Sequence, residues 1–466
     1  MSPTSDISVI IVGGGPVGLT AAHAFSQLGI HFTLLERRDT IAEDVGASIV
    51  LWPHGMRVMA QLGLLDQLLS IGTELLSGAY QSKSGKMFLR TKSPETPSNS
   101  HGLYPQCFAR ADLLSTLYNT LPPWAKSSKI HTSKTVTSIT SSPDPTGGVE
   151  VLCSDNTSYT ASFVIGADGI HSIVRKTILS LSPSSPVPVK PQLKTRYSLL
   201  WFSLPRSSHP SILSYIPASA AYEVHTKDLS FQLLANEQSN IQFCFIYQLL
   251  PPGLKQFSEK DSETIIATPN VAALPLGESG LTVKDVWPLR SKSGITPLEE
   301  GVLGPQWHFK NQVVVIGDAA HKVTPTTGYG FNMGLLDVVS LVNHVSALAT
   351  ATNKKMFLGG LEGAFKKYRQ ERIDSVQEDF KRSGMVTRLA CWRDWRFKLF
   401  DRVVMPIPGV DMLLVNKVNS PVMARCLVFK GIKVEGEPFE GRMAWKERMP
   451  ILEKREMNES GKDSRE

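Results

Sequence analysis

The chain has 466 residues, 42% of them hydrophobic, 8% aromatic and 20% charged. At roughly 100–200 residues per domain this predicts two or three domains with real cores, and it excludes collagen, coiled coil and wholesale disorder. The net charge of +7 lies in the last quarter, since residues 1–350 hold 25 Lys/Arg and 25 Asp/Glu whereas residues 351–466 hold 24 and 17; no nucleic-acid-binding module accompanies it, so nucleic acid is not an expected partner.

In chain order, the β-branched run Val9–Val12 reads as a buried strand, Leu19–Leu28 as an Ala/Leu helix ended by Gly29, and His31–Leu35 as a second strand. That is a βαβ opening and predicts a parallel sheet. Residues 53–72 carry a helical pattern, 91–101 (TKSPETPSNSH) read as a Pro/Ser loop, and ADLLSTLYNTL from Ala111 is helical again. Strands broken by the turn-rich SSPDPTGG are expected over 130–165, and a Pro/Ser linker over 180–191. From Lys194 to about Leu289 the runs are β-rich with few good helices. QVVVIGDAAH at 312–321 returns to the buried-strand signature, and the chain reads as largely helical after Gly334. The opening stretch and the one returning at 312 thus read as one α/β unit interrupted by a β-rich insertion.

Three motifs carry chemistry. Gly13, Gly15 and Gly18 form a GxGxxG run between strand and helix, with Glu36 closing the second strand 18 residues after Gly18. Glycines there permit a tight turn and close backbone approach to a pyrophosphate at a helix N-terminus, and the acid can accept from a ribose hydroxyl. VIGADGIHSIVR holds Asp168 and Gly169 at a strand end. VVVIGDAAHKVTPTTGYGFNMGLLD holds Gly317 and Asp318 at another, with Gly328, Gly330 and Gly334 opening a helix whose dipole favours negative charge.

GGGPVG, GADGIHSIVR and GDAAHKVTP…GYGFN together resemble the triple fingerprint of the group A flavoprotein monooxygenases, the para-hydroxybenzoate hydroxylase fold, over roughly residues 6–345. EDVGASIVLWPHGMRVMAQLGL at 43–64 resembles fungal natural-product epoxidases of the indole-diterpene, meroterpenoid and polyene polyketide pathways. The resemblance implies an α/β fold: a Rossmann-like FAD-binding domain (1–79, 102–185 and 296–345), a β-rich substrate domain (80–101 and 186–295), a helical C-terminal region (346–450) and a disordered tail (451–466). It implies FAD as cofactor and NAD(P)H as co-substrate, with O2 adding to the reduced flavin to give a hydroperoxide that oxygenates an electron-rich lipophilic substrate. Gly13, Gly15 and Gly18 would seat the pyrophosphate and Glu36 the adenosine ribose. Ala47 and Val50 would pass the flavin, Arg110 would contact the cofactor, and Asp168 and Gly169 would serve FAD and nicotinamide. Asp318 would hold the ribityl chain, and Gly330 and Phe331 would face the flavin. Relatives often carry Gly at the position of Val50 and Ala at that of Phe331.

The resemblance makes alkene epoxidation, a reaction that needs no side-chain base, the leading expectation. Aromatic hydroxylation and prenyl-chain reduction are the alternatives. His225 and Tyr222 are the candidate catalytic residues, with Tyr197 as a further pocket candidate. Read plainly, both tyrosines are half-buried sheet aromatics and His225 an exposed strand-end histidine. His321 reads as a structural hydrogen-bonding residue.

Five scattered cysteines (Cys107, Cys153, Cys244, Cys391 and Cys426) contain no CxxC pair, so neither a disulfide framework nor a metal site is expected. No stretch reaches the ~18 uncharged apolar residues of a membrane span. The apolar opening lacks a basic start and is read as fold rather than signal peptide, which points to an intracellular protein. Residues 381–433 hold 11 Lys/Arg and 3 Asp among Trp392, Trp395, Phe397 and Phe400. That composition reads first as a basic face on a helix that packs its aromatics on the rest of the protein, and otherwise as peripheral contact with an anionic membrane.

Overall fold

The run Ser8–Val12 becomes a central strand of a six-stranded sheet, because four of its five residues are buried from both sides. The computed structural model describes residues 7–43, 48–142, 148–181, 193–207, 215–250, 257–349 and 354–453. Across the sheet the order is His308–Phe309, Val313–Val315, Phe163–Gly166, Ser8–Val12, His31–Leu35, Ile130–His131. All neighbours run parallel except the edge strand His308–Phe309. Helix Pro16–Gln27 starts with Pro16 in its first turn, where a missing N–H costs nothing. It packs against helix Tyr329–Ala349, so the opening stretch and the one returning at 312 close one core.

The second layer is an eight-stranded sheet in the order His321–Lys322, Lys292–Val302, Lys194–Pro205, Ile241–Leu249, Leu229–Asn236, Ala220–Thr226, Ser77–Ser82, Met87–Thr91. One face is covered by short helices between Glu259 and Val286, started by the capping boxes Ser258–Asp261 and Thr282–Asp285. The other face looks toward the nucleotide-binding sheet. Strands Ser77–Ser82 and Lys292–Val302 belong whole to this sheet, so the expected boundaries at 79/80 and 295/296 fall inside strands.

The 91–101 segment is not a loop: Glu95–His101 is a helix. Pro97 lies in its first turn, where no intrahelical N–H is needed, and Gly102 at φ +83° ends it. Buried His101 stacks on Trp445, with ring centroids 4.5 Å apart. The turn-rich tip at 143–147, most of the 180–191 linker and Ala47 lie outside the described residues.

After the 37-residue helix Lys354–Ala390, a helical hairpin runs to Met423. The expected helical region then stops short: residues 424–453 contain no helix and wrap back over helix Pro53–Gln61. Gln61 Nε2 donates to the carbonyls of Phe429 (2.7 Å) and Ile432 (2.8 Å), and Arg57 is clasped by Glu437. Where a tail was expected from 451, the Leu452 amide donates to Val434 (2.8 Å). Residues 454–466 lie outside the described set. The five cysteines are buried free thiols. Helix Tyr329–Ala349 contains a stretch long and apolar enough to cross a membrane, but it is mostly buried in this core.

Candidate active site

A cavity of about 820 Å³ lies between the two sheets, near the top of the ~300–1,000 Å³ range of ligand pockets. One end is lined by Gly13, Gly15, Glu36, Arg110, Asp168, Gly169 and Asp318. At Gly13 (φ +106°) a Cβ would stand 2.6 Å from the Ala167 carbonyl oxygen, and at Gly18 one would stand 2.0 Å from that of Gly13, so both positions require glycine. At Gly15 a Cβ would meet nothing within 4 Å and would project into open space. These are the roles a pyrophosphate cradle demands: two glycines for chain packing and one for ligand approach.

The acids divide their work. Glu36 Oε2 accepts from the Gly14 amide (2.6 Å) and Oε1 from the Arg38 amide (3.0 Å), so this side chain also braces the glycine loop. Asp168 Oδ2 accepts from Ile173 (2.7 Å) and Val174 (3.3 Å), at the start of the helix that follows. Its Oδ1 is buried with no partner among the described residues, and burial pushes the carboxyl above its ordinary range. Asp318 pairs with Lys322. Arg110 opens a helix at the cavity wall. Burial lowers its guanidinium, against the attraction of Asp318 and Glu36. Val50, Gly330 and Phe331 line the same wall. There Asn332 Nδ2 donates to the Val50 carbonyl (2.9 Å) and its Oδ1 accepts from the Trp52 amide (3.1 Å). The N-terminus of helix Tyr329–Ala349 thus opens on the cavity.

These features fit a flavin dinucleotide: open space at Gly15 beside one helix N-terminus, a second helix N-terminus at Tyr329, and an unpartnered buried oxygen on Asp168, a residue that lines the same cavity. His321 does what the sequence suggested, sharing a hydrogen bond of 2.6 Å with buried Asp337. Asp337 also accepts from Arg372 (2.8 Å) and from the Gly317 amide (2.9 Å). Burial would raise its carboxyl, but His321 and Arg372 hold it low.

The far end of the cavity is built by the eight-stranded sheet, the end of helix Lys354–Ala390 and the C-terminal hairpin. Alternate residues of a strand face opposite sides. Ala221, Glu223 and His225 therefore line the cavity, while Tyr222 points into the core under the short helices. Tyr222 cannot act on a ligand held in this cavity. His225 is not an exposed strand-end residue but only 3% exposed. Its Nδ1 lies 2.9 Å from Asp401 Oδ2 and its Nε2 3.0 Å from Glu223 Oε2, and its ring stacks on Tyr80 at 4.9 Å. Burial alone would lower this imidazole, but the two carboxylates overcome it and push it up to about 9. Tyr197 is buried near this face without lining the cavity.

Sequence reasoning missed Glu223, Gln232, Tyr247 and Asp401. Gln232 Nε2 donates to Glu223 Oε1 (3.0 Å), and Tyr247 OH lies 3.3 Å from Gln232 Oε1. Strand parity from His225 could have found Glu223. Nothing in the sequence joins Asp401 to a residue 176 positions earlier.

The family described as "FAD binding domain" matches residues 6–221 and 305–378. Among curated relatives, the FAD-dependent monooxygenase esdpE of Penicillium shearii is 31% identical over 413 residues, covering 86% of this chain and 82% of the relative. The FAD-dependent monooxygenase prhF of Penicillium brasilianum is 30% identical, covering 95% and 90%. Among solved structures, Klebsiella pneumoniae HpxO complexed with FAD and uric acid superposes with a TM-score of 0.69 at 20% identity, covering 90% of this chain and 96% of that one. A salicylate hydroxylase substrate complex gives 0.64 at 17%, covering 91% and 98%. At these identities the structures share the fold.

Proposed function

On the premise that this chain belongs to the FAD binding domain family and, within it, to the FAD-dependent monooxygenases, we propose that it uses NAD(P)H and O2 to epoxidise an alkene of a lipophilic secondary-metabolite intermediate. The observation that carries the reading is the cavity running from the glycine cradle to a chamber in which His225 and Glu223 are engaged with each other and His225 with Asp401.

Gly13, Gly15 and Gly18 would seat the FAD pyrophosphate at the N-terminus of helix Pro16–Gln27, with Glu36 and Arg110 toward the adenosine side. Asp168 and Asp318 would take hydroxyls of the chain between the two ring systems. The N-terminus of helix Tyr329–Ala349 would stabilise negative charge on the ring. When bound, FAD supplies the redox chemistry, taking two electrons from NAD(P)H and passing one atom of O2 to the substrate while the other leaves as water.

The chain's own contribution is to orient the substrate and exclude water. Phe245, Leu234, Leu389, Met405 and Val415 offer apolar wall. His225, held as a cation between Asp401 and Glu223, has no lone pair with which to take a proton. Glu223 is occupied in turn by His225 and Gln232. A phenol would need a base to raise its nucleophilicity, whereas an alkene reacts without one. This is what supports epoxidation over ring hydroxylation.

The test is an 18O2 incubation of FAD-loaded enzyme and NADPH with polyene and prenylated metabolite extracts. One 18O atom in a product whose fragmentation marks an epoxide is the expected result. A labelled phenol would replace epoxidation by ring hydroxylation. A product gaining two hydrogens and no oxygen would replace the reading by a reductase.

A further inference from the structure

Almost half of the large apolar side chains that stand exposed among the described residues fall within 395–418. Trp395, Leu399, Val403, Ile407, Leu413 and Val418 are 45–67% exposed. The spacing of four places Trp395, Leu399 and Val403 on one stripe of the helical run that ends at Val404. A soluble surface scatters such residues singly, so a cluster on one element marks a contact surface.

The charges decide what it contacts. Between Trp392 and Val418 the chain has five cations (Arg393, Arg396, Lys398, Arg402, Lys417) and three acids. All three acids are engaged on the inner side or by the backbone. Asp401 is buried against His225 and Trp392, Asp411 is buried against Thr91, and Asp394 accepts from the amides of Arg396 and Phe397 at a helix start. Arg393 pairs with Asp228, so the outward face combines exposed apolar side chains with cations that have no ion-pair partner among the described residues, Arg396 and Lys417, and one exposed acid, Asp394. A flat apolar protein partner needs no such excess, whereas an anionic lipid interface takes both together.

The broader segment does not share this property. Trp392 is buried, Val386, Leu389 and Ala390 line the cavity, and Met423, Cys426, Phe429 and Ile432 belong to the core. On the hairpin's inner side, Met405, Val415 and Asn419 line the active-site cavity.

We propose that the hairpin Trp395–Val418 docks on an anionic lipid surface, its outer face in the headgroup region and its inner face roofing the substrate chamber. A lipophilic substrate would then reach the chamber from the bilayer beside the hairpin. Docking does not depend on which reaction the chamber performs.

The test is flotation of the full-length holoenzyme with vesicles of phosphatidylcholine alone or with about 30% phosphatidylserine, without substrate, so that its outcome and that of the labelling experiment are read separately. Association with the serine-containing vesicles at low salt, reversed by high salt, is expected. Each cation near the surface contributes roughly fivefold in partitioning. Arg396→Gln/Lys417→Gln, which alters only exposed charges, should lose about tenfold or more of that preference while keeping its flavin content. Trp395→Ser/Leu399→Ser/Val403→Ser should lose association with both compositions. No flotation of the unmodified protein at low salt overturns the proposal. So does an association untouched by either variant, or a hairpin-dependent dimer in sedimentation with no vesicle binding, which would make a second copy the occupant.

Discussion

His225 is held by Asp401 and Glu223 in the interior, and its imidazole is pushed up to about 9 by them despite burial. A folded value above the unfolded 6.5 means that protonation stabilises the fold. The full contribution is present below pH 6.5 and is lost as pH rises through about 9. A shift of this size corresponds to about 3 kcal/mol. His225→Gln removes the cation and leaves Asp401 buried against Trp392 alone. Denaturant unfolding should show the variant about 3 kcal/mol weaker at pH 6, with the two curves converging by about pH 9.5. A constant gap across that range would contradict the protonated clasp. Gly15 makes a different point at the same scale: its side-chain position is open, and the space matters only to a ligand.

Single elements are positioned by contacts that cross the fold. The turn Gly317–Ala319, which presents Asp318, is tied through the Gly317 amide to Asp337 on one helix, and Asp337 is held by Arg372 on the next. Asp337 is fully buried and Arg372 is 2% exposed. Removing Arg372 leaves Asp337 with His321 as its remaining charge partner, and breaking such a buried pair typically costs ~3–5 kcal/mol. Arg372→Ala should therefore lower stability by about that amount and release flavin from the purified protein. A variant with unchanged urea midpoint and full flavin absorbance would show that the pair does not brace the turn. The helix Glu95–His101 illustrates the limit of local reading. Its Pro and Ser content favours a turn, but first-turn Pro97, terminal Gly102 and the Trp445 stack make a helix of it.

The whole molecule is closed by its own C-terminal segment. Residues 424–453 lay Cys426, Phe429, Ile432, Phe439 and Trp445 into the same core as the opening βαβ unit. Arg57, wholly buried, depends on Glu437 for its charge partner and sits 4.5 Å from the Trp445 ring centre. Deleting residues 425–466 exposes that core face and strands the guanidinium. The truncated chain is expected to be insoluble, measured as soluble yield against the full chain. A soluble, FAD-loaded truncation would show that the segment is only an appendage.

The amino-acid sequence by itself determined the opening βαβ unit, the three fingerprints and hence the dinucleotide end of the site. These depend on short-range needs of the chain: glycine where a Cβ would strike backbone, acids at strand ends, a buried β-branched run. Strand parity already separated Tyr222 from His225, had the register been known, because neighbours on a strand face opposite layers. Only the tertiary structure decided the chamber. Asp401 meets His225 across 176 residues, and residues 405–419 roof a cavity begun at Gly13. Such pairings are set by how the hairpin packs on the sheet, and no local spacing encodes them. The sequence likewise offered the basic, aromatic composition of the C-terminal quarter. Folding chose which of those residues enter the core and which face outward, because burial is a property of the packed molecule.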